Sequence, residues 1–309
     1  MKKTSLNLIM LLIAVMALTI SGCKKESTTD DSVAANDASN ISTVMNSTGD
    51  DVDNAMSTNH SISGKTESLV FETIYGATVV IDSNGANPGT AVITYTGTDF
   101  YGIIQRSGTI TITLEGYQNG VRWRDTGAML QIVYDLTATI NGNTYSFAGT
   151  HYIENVYGGL AYQVMDGLVS GTVTRKHTCN NANITFPGGS VRAWSFNRIR
   201  TFSIIYGNPT ITLSGDTSVN GISNVAQWGT DRLGEAFYAS IPKTISSGFA
   251  CGFFHPTAGE HVHHVANRTV TIDYGVNSDG GAFTGSGCAY GYQMTYTKGS
   301  KSVTAVFPY

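Results

Sequence analysis

Strict alternation of apolar and polar residues constrains this chain more than any other feature. In Leu130 to Ile140, LQIVYDLTATI, the set Leu130, Ile132, Tyr134, Leu136, Ala138 and Ile140 falls on one face, and Gln131, Asp135, Thr137 and Thr139 fall on the other. A period of two residues over that length is a half-buried β-strand and cannot be an amphipathic helix. The run enters Asn141-Gly142, and Thr144 to Phe147 alternates again beyond it, which predicts a hairpin closed by a two-residue turn. Further turn pairs stand at Asn84-Gly85, Asn119-Gly120, Asp166-Gly167, Asn220-Gly221 and Asp279-Gly280, between runs such as TAVITYT, GTITITL, TVTIDYG, YQMTYT and SVTAVF. No long apolar stripe of helical period stands out beside them. The expected fold class is all-β: an antiparallel sandwich or a long twisted meander, as one or two β domains.

The N-terminus reads differently. Met1-Lys2-Lys3 precedes an apolar block from Leu6 to Ile20, shorter than the ~20 residues that span a bilayer, so residues 1–22 read as an export signal. Its end, Ile20-Ser21-Gly22-Cys23, resembles the lipobox of bacterial lipoproteins. The resemblance implies cleavage before Cys23 and acyl chains on that residue, which would fasten the chain to a membrane without a spanning helix. Residues 23–65 hold no aromatic residue, few aliphatics and many Ser, Thr, Asn and Asp, the composition of a disordered acidic tether. Within it, Asp31-Ser32-Val33 resembles the acceptor triplet of O-glycosylation in Bacteroidota, which makes Ser32 a glycosylation candidate.

The remainder divides near RKHTCNN, into a β-rich domain at 66–175 and either a second β-rich domain or the second half of the same domain at 176–309. A net charge of −4 with only 13% charged residues gives no basic face for nucleic acid. The strings VVIDSNGANPGTAVITYTG, QRSGTITITL, ITFPGGSVRAWSFNRIRTF, FACGFF, RTVTIDYG and GSGCA resemble a family of uncharacterised β-rich lipoproteins of Bacteroidota. The chain departs from that family where a short glycine turn is expanded to YGVNSDGGAFTGSGCAYG. The resemblance implies an exported outer-membrane envelope protein and brings no activity with it.

With Cys23 taken by lipid, Cys179, Cys251 and Cys288 remain, which allows one disulfide and one free thiol. Cys251 with Cys288 is the expected pair, because both lie in the strand-rich C-terminal segment with a hairpin between them. His177 stands two residues from Cys179, the spacing at which a base on a strand would share a face with a thiol nucleophile. Of the seven histidines, four fall in FFHPTAGEHVHHVANR. On an extended strand His261 and His263 share a face about 6 to 7 Å apart, and with His255 or Glu260 they form a candidate site for Zn, Cu or Ni. The competing reading is a polar strand face, since no zinc signature is present. DSNGAN and DYGVNSDGG place Asp and Asn oxygens in tight turns, as calcium loops do, although the turns themselves demand the same residues. Trp123, Trp194 and Trp228 are candidate platforms for sugar rings.

Glu154, Asp166, Glu235 and Asp273 are too scattered to pair for glycoside hydrolysis, and there is no nucleophile elbow, phosphate loop or dinucleotide fingerprint. The expectation is a lipid-anchored, non-enzymatic scaffold, adhesin or ligand-binding module with a glycan or protein ligand and no nucleic acid. A metal-binding or metal-dependent protein is the alternative.

Overall fold

The computed structural model of the chain describes residues 28–64, 74–285 and 287–309, with side chains from Val33 onward. The segment expected to be an export signal and the candidate lipid acceptor Cys23 lie outside the described residues.

The fold is all-β in class, and its strands lie in one sheet. They are β1 (Ala77–Asp82), β2 (Thr90–Tyr95), β3 (Ile104–Leu114), β4 (Ala128–Ile140), β5 (Asn143–Asn155), β6 (Thr172–Thr185), β7 (Val191–Ile205), β8 (Asn208–Gly215), β9 (Thr217–Val219), β10 (Ile222–Thr230), β11 (Ala236–Gly248), β12 (Ala258–Val265), β13 (Arg268–Val276), β14 (Gly291–Lys298) and β15 (Lys301–Pro308). Neighbours in sequence pair antiparallel from β1 to β7 and from β10 to β15, so the sheet is a meander. The slot between β7 and β11 is filled in two parts: β10 pairs with the first half of each strand and β8 with the second. The division expected at 175/176 falls inside β6, which is hydrogen-bonded to β5 on one side and β7 on the other.

The hairpin β4–β5 shows how closely the alternation is obeyed. Ala128, Leu130, Ile132, Tyr134, Leu136, Ala138 and Ile140 are all buried, and Asn141 and Gly142 close the turn with φ of 50° and 72°. Both positive values are those of the turn that matches the twist of two paired strands. Register shifts in β5, β6 and β11 mark bulges, where a sheet bends and curls.

The chain departs most from expectation at residues 28–58. They are not a disordered tether but a helix, α1 (Thr28–Thr58), about 46 Å long at 1.5 Å per residue. A short α2 (His60–Ser63) follows, with the Asn59 side chain accepting the Ile62 amide at its start and Gly64 ending it in the left-handed region. Ala34, Ala38, Ile41, Met45, Thr48, Val52 and Ala55 recur at alternating steps of four and three and are all buried. That spacing forms one stripe along a helix. The stripe joins Ile93, Tyr95, Ile110, Leu130 and Trp194 in the main core. Composition misled because the stripe is built of small residues, and because the apolar surface that buries it belongs to the sheet.

The acids of the segment are used inside the molecule. Asp37 is chelated by Arg232, and Asp53 accepts from Arg175 (2.8 Å) and from the Trp123 indole (2.9 Å). Asp51 accepts from Arg106 (2.6 Å) and the Tyr95 hydroxyl (3.0 Å), while Asp50 takes both arms of Arg200 (2.7 and 3.1 Å). Four ion pairs thus fix the register of one helix against inward-facing arginines on β3, β6, β7 and the turn after β10. Among the described residues, no helix is long and apolar enough to cross a membrane.

Candidate functional site

Helix α1 has a second face. Ser39, Ser42, Thr43, Asn46, Ser47, Asp50 and Asn54 lie away from the apolar stripe and line a cavity of about 1300 Å³ between the helix and the sheet. The opposite wall is mainly apolar: Phe202 on β7, Ile211 and Leu213 on β8, Ile241 and Ile245 on β11, Tyr274 on β13 and Tyr292 on β14. A small-molecule site is commonly about 300–1000 Å³ and mostly apolar, with a few placed polar groups. This cavity exceeds that range and has one hydroxyl- and amide-rich wall facing an aliphatic and aromatic one.

Its rim carries aromatic side chains on loops. Tyr75, Phe100, Tyr101 and Phe249 are exposed, and the rings of Tyr75, Phe100, Tyr101 and Phe254 follow one another with centroids 4.9 to 5.0 Å apart. The Tyr101–Phe254 contact joins the β2–β3 loop to the β11–β12 loop. Cys251 and Cys288 are disulfide-bonded, with Cα atoms 5.4 Å apart, and so tie the β11–β12 loop to the loop before β14. His255, also on the rim, stacks on Tyr309 at 5.1 Å.

Three arginines project toward the cavity, two of them ion-paired as described. The third, Arg198, is different. It is 2% exposed; its Nη1 donates to Ser42 Oγ (3.1 Å), while Nε and Nη2 have no hydrogen-bond partner. Its guanidinium lies 4.7 Å from the Phe196 ring centroid, and burial, with Arg200 adding to it, pushes its pKa down to about 9. The nearby carboxylate, Asp50, is held by Arg200.

The residues expected to bind metal do not converge. His261 and His263 face inward, His261 onto the cavity and His263 against the Phe237 ring at 5.0 Å. Glu260, one residue earlier on the strand, points to the other face and pairs with Lys243 (2.5 Å). His255 sits on the rim loop with its Nδ1 3.0 Å from the Cys251 carbonyl oxygen. Among the described residues no three His, Cys, Asp or Glu side chains come together as a metal site. Burial lowers the pKa of His261 to about 4 and of His263 to about 3, with neighbouring histidines adding to the effect, so both are neutral at pH 7.

Two of the three tryptophans cannot offer faces to a sugar. Trp123 is fully buried beneath the Arg175 guanidinium, 4.4 Å from its ring centroid, and Trp194 is buried against Phe237 at 4.3 Å. Trp228, half-buried on β10, is paired in register with Ser195 and Tyr238. Cys179 does share a buried face with His177, but burial pushes its thiol up to about 11, the reverse of what a nucleophile needs. Asp82 in DSNGAN is occupied by the amides of Gly85 (2.5 Å) and Asn87 (2.9 Å), as its turn requires. Ser32 lies in α1 ahead of the residues whose side chains are described.

Sequence reasoning missed the helix, its cavity face and the inward arginines. A signal existed for each. The four–three spacing from Ala34 to Ala55 is legible once alanine and threonine count as buriable. In VRAWSFNRIRTF, Trp194, Phe196, Arg198, Arg200 and Phe202 share one strand face, which places two arginines among aromatics. No family model matches the chain, and neither a curated protein nor a solved structure matches it.

Proposed function

We propose that this chain is a non-enzymatic ligand-binding module of the cell envelope, held to the outer membrane by lipid on Cys23, that takes up an amphiphilic small molecule between its helix and its sheet. The cavity of about 1300 Å³ carries this reading. A polar helix face opposite an aliphatic and aromatic wall suits a ligand with one wettable side or end, and a rim of exposed rings suits passage of an apolar one. The buried tryptophans turn the reading away from a glycan. The lipobox-like Ile20 to Cys23 supports the anchor, and the disulfide accords with an oxidising compartment.

The test is organic extraction of the full chain purified from its own membranes, followed by mass spectrometry of what is released. About one equivalent of a non-covalently held amphiphile, lost when Ile241 and Ile211 are both enlarged to Trp, is expected. A chain that releases nothing and takes up no amphiphile on addition contradicts the ligand reading. Acyl chains absent from Cys23 in the same sample contradict the anchor.

A further inference from the structure

Arg198 is the arginine in the cavity that no carboxylate of the fold pairs. Each of the other buried arginines has a carboxylate within hydrogen-bond distance: Arg106 with Asp51, Arg175 with Asp53, Arg200 with Asp50. Arg198 has only the Ser42 hydroxyl, and two of its three nitrogens are unpartnered. A guanidinium taken out of water without an opposite charge is a large unfavourable element in a fold, so natural chains pair such groups or place them where a ligand supplies the charge.

The placement is specific. Arg198 sits where the slot between β7 and β11 passes from β10 to β8: Gln227 of β10 pairs with Phe196, and Gly215, the last residue of β8, pairs with Arg198. It lies on the same strand face as Phe202, and Ile211 and Leu213 on the adjacent β8 line the same wall. Ser42 and Asn46, on consecutive turns of α1, supply neutral polar groups on the facing wall. An anionic group that accepts from Arg198 and from the Ser42 hydroxyl would leave an attached chain free to run along the aliphatic wall. Arg200 lies close by, but Asp50 accepts from both of its terminal nitrogens, so its charge is already met within the fold. Among the arginines that line the cavity, Arg198 is therefore the one whose charge no carboxylate meets.

We propose that the cavity binds an amphiphile with an anionic head, a carboxylate or a phosphate monoester, whose charge is met by Arg198 while its hydrocarbon lies against Phe202, Ile211, Leu213 and Ile241. This rests on the ligand-binding reading given above and specifies its ligand. The two sources of such a head, a fatty acid and a lysophosphatidic acid, share this chemistry.

The test uses the full chain in nanodiscs and three photoreactive diazirine probes with the same C16 tail: the carboxylic acid, the primary alcohol and the lysophosphatidic acid. Labelled peptides are mapped by mass spectrometry, beside an Arg198→Met variant. One of the two anionic probes is expected to label β7, β8 and β11 at least roughly tenfold more than the alcohol, the scale of one charge-assisted contact, and to lose that preference in Arg198→Met. Which anion is preferred identifies the source. Equal labelling by acid, phosphate and alcohol overturns the anionic head and leaves the ligand cavity standing. No labelling of these strands by any probe overturns both.

The variant carries its own control. An arginine held for a ligand is a burden to the empty protein, so Arg198→Met should raise the thermal midpoint measured without probe. A lowered midpoint means that Arg198 is structural and overturns the proposal. Ser42→Ala, which keeps the charge, should retain the preference for the anion at reduced strength; unchanged labelling would remove Ser42 from the site.

Discussion

Gly49 shows how single positions hold the helix in place. Glycine inside a helix costs about 1 kcal/mol relative to alanine, so its presence in α1 needs a reason. A Cβ there would stand 3.0 Å from Cε1 of His177, a buried imidazole that itself packs at a tilt against His151 with centroids 5.2 Å apart. Gly49→Leu is therefore expected to destabilise by more than the ~1–3 kcal/mol typical of overpacking, read from urea denaturation, whereas Gly49→Ala should change little as propensity offsets contact. The ion pairs separate by burial in the same way. Asp53→Ala leaves the Arg175 guanidinium, 1% exposed, without its charge partner, and should cost about 3–5 kcal/mol. Lys243→Ala removes a pair whose lysine is 67% exposed and should cost no more than about 1 kcal/mol. Equal losses for the two would mean that Asp53 does not sit against Arg175.

At the scale of elements, α1 is expected to be indispensable. A chain that lacks residues 28–64 would expose the inner face of β2–β7 and strip Arg106, Arg175 and Arg200 of their carboxylates. It should show no cooperative unfolding transition, whereas a disordered tether could be deleted without effect. The Cys251–Cys288 bridge closes 37 residues and should contribute on the order of 3–4 kcal/mol in the chain-entropy picture, lost in Cys251→Ser with Cys288→Ser. Strands such as β4 and β5 were legible because an alternation of two residues is written in their own side chains, and Asn141-Gly142 spells out the turn. Helix α1 was not, because what stabilises it lies elsewhere in the chain: arginines up to 195 residues away and a sheet that encloses it. His261 and His263 could be placed on one strand face from their spacing, but spacing carried no sign that the face is packed rather than open. The cavity was illegible for a similar reason, since its walls come from α1 and from strands that are distant in sequence.

For the whole molecule, the interior carries imidazoles that stay neutral below pH 6.5, where solvated ones would be protonated. Burial holds His151 and His177 well below the ordinary histidine range, with Arg198 nearby for both and Arg175 and Arg200 for the second. His261 and His263 are lowered to about 4 and 3. A group with a depressed folded pKa takes up a proton on unfolding below its unfolded value of 6.5, so these four contribute stability that is present above pH 6.5 and lost as pH falls. Asp51 acts oppositely: burial raises it to about 6 despite Arg106, so the folded state holds a proton there between about pH 6 and 3.8 that the unfolded state lacks. Three protons taken up net near pH 5 correspond to at most about 4 kcal/mol per pH unit. Urea midpoints measured from pH 7 to 4.5 should fall steeply below 6.5, and a flat profile would mean that these histidines are solvated.

The enclosure of α1 by the sheet underlies the ion pairs, the cavity and the ligand proposal together, and hydrogen exchange of the full chain tests it most directly. Amides of residues 38–56 should exchange as slowly as those of β4 and β5, at the rate of global unfolding. Complete exchange of that segment within seconds, while β4 and β5 remain protected, would contradict the account and return residues 28–58 to the role of a tether.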